Sequence, residues 1–170
     1  MFLSRYLIYA YYLPTRFTAL VTSIFNVLCK LNIGSGTQKF EEEGWINIDI
    51  YQYPEVDIVR DVEKGLPFDD ESVEKIYTSH FLEHVKDLNF VMEECHRVLK
   101  KGGVMHIIVP FFRRIEAYRD PTHIRFFTDQ TFLYFTQPIA TDWHFRTKCN
   151  FAIVSQELNK FELWVKLEKQ

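Results

Sequence analysis

The chain has 170 residues, enough for one domain with a single hydrophobic core and too few for two full domains. Hydrophobic residues make up 47% and charged residues 25%, a globular balance that excludes disordered, collagen-like and coiled-coil chains. A net charge of −3 argues against a general nucleic-acid binder, because phosphate contacts need a basic surplus. Three widely spaced cysteines indicate neither a disulfide framework nor a zinc cluster, so we expect no metal site and a reducing, cytoplasmic location.

The N-terminal 30 residues contain an apolar run over residues 6–13. Crossing a bilayer takes about 20 residues, and Pro14 and Arg16 interrupt this run early. The apolar residues that follow recur at helical spacing. We therefore predict an N-terminal helical segment over residues 1–30, packed on a single globular domain over residues 31–170. The alternative is a peripheral contact of these helices with a membrane surface.

From residue 31 onward, short apolar runs alternate with turn signals. They predict strands over residues 31–33, 45–50, 56–59, 75–79 and 104–109. An amphipathic stripe over residues 88–99 predicts a helix with Asp87 as its N-cap and Gly102 beyond its end. Strands separated by crossovers favour an α/β doubly wound, mostly parallel sheet.

The connections between strands and the C-terminal region differ from those of a regular doubly wound sheet. Only eight residues separate Gly36 from Trp45, and five separate Ile50 from Val56, so these crossovers are too short for full helices. Residues 151–156 and 161–167 alternate around Asn159 and Lys160, a pattern typical of an antiparallel hairpin. The sequence thus predicts shortened crossovers and a C-terminal antiparallel hairpin.

Polar residues and glycines follow the ends of four predicted strands. In an open parallel sheet, ligands bind beyond the carboxyl ends of the strands, where the strand order reverses. The residues expected to converge there are Gly34, Ser35, Gly36, Asp49, Asp61, Ser79 and His80. A dinucleotide site would have a third glycine where Lys39 stands, and the chain has no phosphate-loop lysine motif. A glycine turn with a carboxylate suited to a ribose diol indicates an adenosine ligand without phosphates.

Six segments carry a family resemblance in their order along the chain. They are residues 31–37, 44–49, 61–68, 79–84, 97–103 and 120–128. Together they resemble the class I S-adenosylmethionine-dependent methyltransferases, specifically the small type 11 group. The resemblance implies a Rossmann-like fold and S-adenosyl-L-methionine as the cofactor.

The resemblance also implies roles for individual residues. Gly34, Ser35 and Gly36 would line the methionine and ribose portion, and Asp49 would hold the ribose hydroxyls. Asp61 and the Val62 backbone would meet the adenine, while Ser79 and His80 would lie near the sulfonium. Asn32 stands where the family often has an acid, and Gln38 stands at the third glycine position. Asn32 would hydrogen-bond the ammonium group without a charge.

We expect the residues that contact the methyl acceptor to follow the fifth strand. Methyl transfer to a hydroxyl benefits from a general base, and His80 and His123 are the candidates. Arginines there interleave with aromatic residues, so Arg114 and Arg125 are candidate contacts to an anionic acceptor, such as a small molecule or a glycan. The alternative for this segment is a structural cover over the core. The predicted function is methyl transfer; the alternative is a catalytically inactive methyltransferase-like binding or regulatory subunit.

Overall fold

The computed structural model describes residues 29–136 and 147–170; the predicted N-terminal helical segment therefore lies almost entirely outside the described residues. Seven strands form one sheet: β1 (Cys29–Ile33), β2 (Trp45–Asp49), β3 (Ile58–Val59), β4 (Val73–Ser79), β5 (Leu99–Pro110), β6 (Phe151–Asn159) and β7 (Glu162–Lys169). Their order is β3-β2-β1-β4-β5-β7-β6. Strands β1 to β5 pair in parallel, and β7 is antiparallel to both β5 and β6. The mostly parallel sheet and the C-terminal hairpin are both confirmed.

One α-helix, α1 (Leu88–Val98), lies in the crossover from β4 to β5. Its N-terminus forms at Asp87, whose side chain accepts a hydrogen bond from the Phe90 N–H at 3.0 Å. The apolar stripe predicted from the sequence is buried, as packing against the sheet requires. Short 3₁₀ helices occupy Val62–Lys64, Leu82–His84, Ile115–Ala117 and Thr131–Phe135.

Strand β5 begins earlier than the sequence predicts. The helix ends at Val98, and Leu99 has an extended conformation. Leu99 is fully buried and pairs with Val73, so the chain turns directly from the helix into the sheet. Gly102 lies beyond the helix end, as predicted, but within β5, where its φ is +74°.

The short connections around β2 are held by side-chain hydrogen bonds. Residues 34–44 and 50–57 are described and contain turns and irregular chain without a helix, which confirms the shortened crossovers. The buried Asn32 donates from Nδ2 to the Gln38 carbonyl at 2.8 Å and to Asn47 Oδ1 at 3.0 Å. Asn47 in turn donates to Asp57 Oδ2 at 2.8 Å. These side-chain hydrogen bonds give partners to buried polar groups in connections that have no helix.

All three cysteines are buried free thiols. Within the two described ranges, no helix has both the length and the apolar character needed to cross a membrane.

Candidate functional site

The carboxyl ends of β1 and β4 meet where the strand order reverses. β1 pairs with β2 on one side and with β4 on the other. The turn after β1 packs directly on the segment after β4: a Cβ atom placed on Gly34 would lie 2.5 Å from Phe81 Cβ. Gly34 also has a φ of +70°. Only glycine satisfies both this close approach and this backbone conformation.

The glycine turn is hydrogen-bonded to the end of β2. The N–H groups of Gly34 and Ser35 both donate to the Ile48 carbonyl, at 2.9 and 3.0 Å. The Gly36 N–H donates to Asp49 Oδ2 at 2.8 Å, and the Tyr51 N–H donates to Asp49 Oδ1 at 2.9 Å. Asp49 is therefore fixed beside the turn, as the sequence predicts, with lone pairs left on both carboxylate oxygens.

The space beside this turn is open. No described residue lies within 4 Å of a Cβ atom placed on Gly36, whose φ is +52°. The Ser35 hydroxyl is buried, and no described residue gives it a hydrogen bond. Ile50 and Tyr51, which follow Asp49, are exposed. This apolar pair was not predicted as part of the site, although it follows Asp49 directly in the sequence.

Other predicted cofactor residues have structural roles in the fold. Asn32 is 2% exposed, and its amide holds the loop after the glycine turn. Asp61 caps a 3₁₀ turn by accepting the Glu63 N–H at 3.0 Å, while Val62 is buried in the core. Ser79, at the end of β4, is half-buried. The contacts that these residues would make with a ligand stay predictions.

His80 follows β4 in a left-handed conformation, with a φ of +52°. Its N–H donates to the Ile108 carbonyl at 3.0 Å, which fixes it at the sheet edge. Its Nδ1 lies 3.3 Å from Glu83 Oε1, and its Nε2 lies 3.0 Å from Glu162 Oε1. The interaction with Glu83, followed by that with Glu162, raises the pKa of His80 despite partial burial. The side chain is 48% exposed, so it also faces solvent.

His123 lies on the same side of the site but is more enclosed. Its Nδ1 lies 3.1 Å from the Ala117 carbonyl, its Nε2 is 3.9 Å from Glu83 Oε1, and its side chain is 9% exposed. The buried Glu83 therefore lies between two predicted catalytic histidines. Neither Glu83 nor Glu162 was recognisable from the sequence, because burial and a contact between residues 82 positions apart have no local signature.

The two arginines predicted to bind the acceptor differ in their surroundings. Arg125 donates from Nε to the Val85 carbonyl at 2.6 Å and from Nη2 to the Lys86 carbonyl. Its guanidinium thus ties the segment after β5 to the segment after β4. Arg114 is exposed. The structure joins Arg125 to the segment after β4, at Val85 and Lys86, and leaves Arg114 on the surface.

Two sequence comparisons match part of this chain to methyltransferases. Residues 31–107 match a family model described as a methyltransferase domain. A demethylmenaquinone methyltransferase from Chlorobaculum tepidum is 35% identical over 63 residues, which are 37% of this chain and 26% of that protein. The match thus spans about a quarter of that relative's length.

Solved structures resemble nearly the whole chain. A S-adenosylmethionine-dependent methyltransferase from Archaeoglobus fulgidus has a TM-score of 0.63 at 17% identity, covering 92% of this chain and 95% of that one. Another from Aquifex aeolicus has a TM-score of 0.60 at 15% identity, covering 89% of each. At these identities the likeness establishes the fold. Residues 31–107 thus resemble a methyltransferase domain, and the chain has the fold of these S-adenosylmethionine-dependent methyltransferase structures.

Proposed function

We propose that this protein transfers a methyl group from S-adenosyl-L-methionine to a small-molecule or glycan-type acceptor in the cytoplasm. The observation that carries the proposal is the Asp49 carboxylate, fixed by the Gly36 N–H at 2.8 Å beside an open glycine turn. A carboxylate in this position suits a ribose diol, and a turn without side chains lets a ligand approach the backbone. The family match over residues 31–107 supports the same cofactor.

The residues at this edge fit the cofactor in chemical type. Gly34, Ser35 and Gly36 would line the methionine and ribose portion, and the buried Ser35 hydroxyl lacks a partner among the described residues. The exposed Ile50 side chain beside Asp49 offers an apolar surface to the adenine ring. Asp61 and the Val62 backbone would meet the adenine edge. Asn32 would act by holding the turn, and through a polar contact to the ammonium group.

The cofactor supplies an electrophilic methyl group on a sulfonium, so the protein's task is alignment of the acceptor. Ser79 and His80 follow β4 at the edge where this alignment would occur. His80 is the better exposed of the two predicted bases, because its side chain is half exposed. It would take a proton once its contact with Glu83 or Glu162 opens and frees one ring nitrogen. His123 is more enclosed.

The acceptor is proposed to be anionic. Arg114 is exposed, and Arg125 anchors the segment after β5 to the segment after β4 through the Val85 carbonyl. A positive charge on this side would attract a phosphate or carboxylate, whereas residues 41–75, on the predicted cofactor side, have an excess of acidic side chains. The three buried free thiols support a reducing compartment.

The test is calorimetric titration of the protein with S-adenosylhomocysteine, the demethylated cofactor. Asp49→Ala is expected to weaken binding about 5- to 150-fold, the equivalent of about 1–3 kcal/mol for hydrogen bonds to a charged group. Asp69→Ala is the matched control, because it removes an exposed carboxylate ahead of the amino end of β4, and its affinity should equal that of the wild type. Absence of binding in the wild type, or equal affinity in Asp49→Ala, refutes the cofactor site. Binding without turnover across an acceptor library refutes the catalytic proposal and favours a binding subunit.

A further inference from the structure

Three potential metal ligands meet on the acceptor side of the sheet edge. Glu83, His84 and His123 bring one carboxylate oxygen and two ring nitrogens within 4.8 Å of one another. We call these three residues the Glu83 cluster. Glu83 and His84 belong to the 3₁₀ turn after β4, whereas His123 comes from the segment after β5. The two segments are joined by the Ile124 and Arg125 N–H groups, which donate to the Glu83 carbonyl at 3.0 and 3.2 Å.

The Glu83 carboxylate is buried without a full set of partners. The residue is 0% exposed, and neither Oε1 nor Oε2 accepts a hydrogen bond from the described residues. The nearest ring nitrogens, His80 Nδ1 at 3.3 Å and His123 Nε2 at 3.9 Å, are at ion-pair distance only. Burying a carboxylate is costly unless it is paired, hydrogen-bonded or bound to a metal. Among residues 29–136 and 147–170, these two ion-pair contacts offset part of that cost, and no hydrogen bond to either carboxylate oxygen adds to them.

Both histidines of the cluster are held with one ring nitrogen free. His123 Nδ1 lies 3.1 Å from the Ala117 carbonyl, which can only accept, so Nδ1 carries the proton. The Thr122 hydroxyl donates to Asp120 Oδ1 at 2.6 Å, so it accepts from His84 Nδ1 at 3.0 Å. In the neutral ring, each Nε2 then presents a lone pair. Metal-binding histidines are typically oriented by such a hydrogen bond from the other ring nitrogen.

A fourth oxygen lies close by. Asp120 Oδ1 accepts from the Thr122 hydroxyl and N–H, whereas Asp120 Oδ2 lies 3.9 Å from His123 Nε2. The rings of His84 and His123 meet edge to face, with centroids 4.9 Å apart. Two imidazoles and a carboxylate form a ligand set typical of zinc and related first-row ions, and Mg²⁺ and Ca²⁺ prefer oxygen ligands instead.

We propose that the Glu83 cluster binds one divalent first-row transition-metal ion, with Zn²⁺ the best fit and Asp120 Oδ2 as a fourth ligand. Zinc bonds of about 2.0–2.2 Å place tetrahedral ligands about 3.3–3.6 Å apart, so ligand atoms now up to 4.8 Å apart would close by up to about 1.5 Å on binding. The ion would neutralise the buried Glu83 charge and join the turn after β4 to the segment that carries His123. The proposal does not rest on the proposed methyl transfer.

The test uses the untagged full chain after removal of metal with a chelator. Calorimetric titration with Zn²⁺ is expected to give one ion per chain, and Co²⁺ should develop the visible absorption of a low-coordinate site. His84→Gln and His123→Gln should each weaken Zn²⁺ binding at least tenfold. His106→Gln is the control, because it removes a half-buried histidine from β5 outside the cluster. Zn²⁺ should also raise the melting temperature of the wild type and of this control, but not of the two cluster variants.

Several outcomes would overturn the proposal: no saturable Zn²⁺ binding, equal affinity in the cluster variants, or tighter binding of Mg²⁺ or Ca²⁺. If His123→Gln does not fold, His84→Gln decides, because His84 is partly exposed. Titration of the metal-free protein with S-adenosylhomocysteine separates this proposal from the proposed function. Loss of zinc binding with cofactor binding intact refutes only the metal site.

Discussion

The contact between Gly34 and Phe81 gives the sharpest test of the sheet-edge geometry. In Gly34→Ala the new Cβ would lie 2.5 Å from Phe81 Cβ and 2.6 Å from its Cγ. The left-handed backbone costs a residue with a Cβ about 1–2 kcal/mol, and the overlap adds about 1–3 kcal/mol. We therefore expect the free energy of unfolding to fall by about 2–5 kcal/mol and binding of S-adenosylhomocysteine to weaken strongly.

Gly102→Ala separates these two contributions. Gly102 has nearly the same φ, +74°, but nothing described lies within 4 Å of a Cβ placed there. This variant should lose only the backbone cost of about 1–2 kcal/mol and keep its cofactor affinity. Urea unfolding and calorimetry measure the two quantities for both variants. Equal losses of stability in the two variants would refute the close packing of Phe81 on Gly34.

Two further predictions concern histidines. His80→Gln should lower kcat about 100-fold or more while cofactor affinity stays constant, because the ring is proposed to take a proton from the acceptor; unchanged transfer of a labelled methyl group would contradict this role. His96 accepts the Asn150 N–H through Nε2 at 3.1 Å, and burial, followed by the charge of Lys169, lowers its pKa. Above pH 6.5, His96 is neutral in both the folded and the unfolded chain, and the folded state has its full stability with respect to this group. As the pH falls from 6.5 through the lowered pKa of the folded state, the unfolded chain binds the proton first, so the free energy of unfolding decreases. His96→Gln should flatten the dependence of the urea midpoint on pH below 6.5, and an unchanged slope would contradict the assignment.

The sequence predicted the sheet better than the site. Alternating and continuous apolar runs locate strands because burial repeats with the backbone period, and the glycine turn and Asp49 follow strand ends directly. Glu83 could not be recognised as a buried acid, because its burial depends on the segment around Ile124 folding back onto it. The start of β5 was missed because Leu99 continues the helical stripe while pairing with Val73.

The position of β7 between β5 and β6 has a consequence for synthesis. Residues Val104–Pro110 of β5 pair along one edge with β7, which begins 52 residues after Pro110. At about 5–20 residues per second, a ribosome needs roughly 3–10 s to make that stretch. During this interval the largely buried stretch Val104–Pro110 has an unpaired edge, a template for association between nascent chains. Slow translation after residue 110 should therefore lower the yield of folded protein, and chaperones that cover exposed strands should restore it.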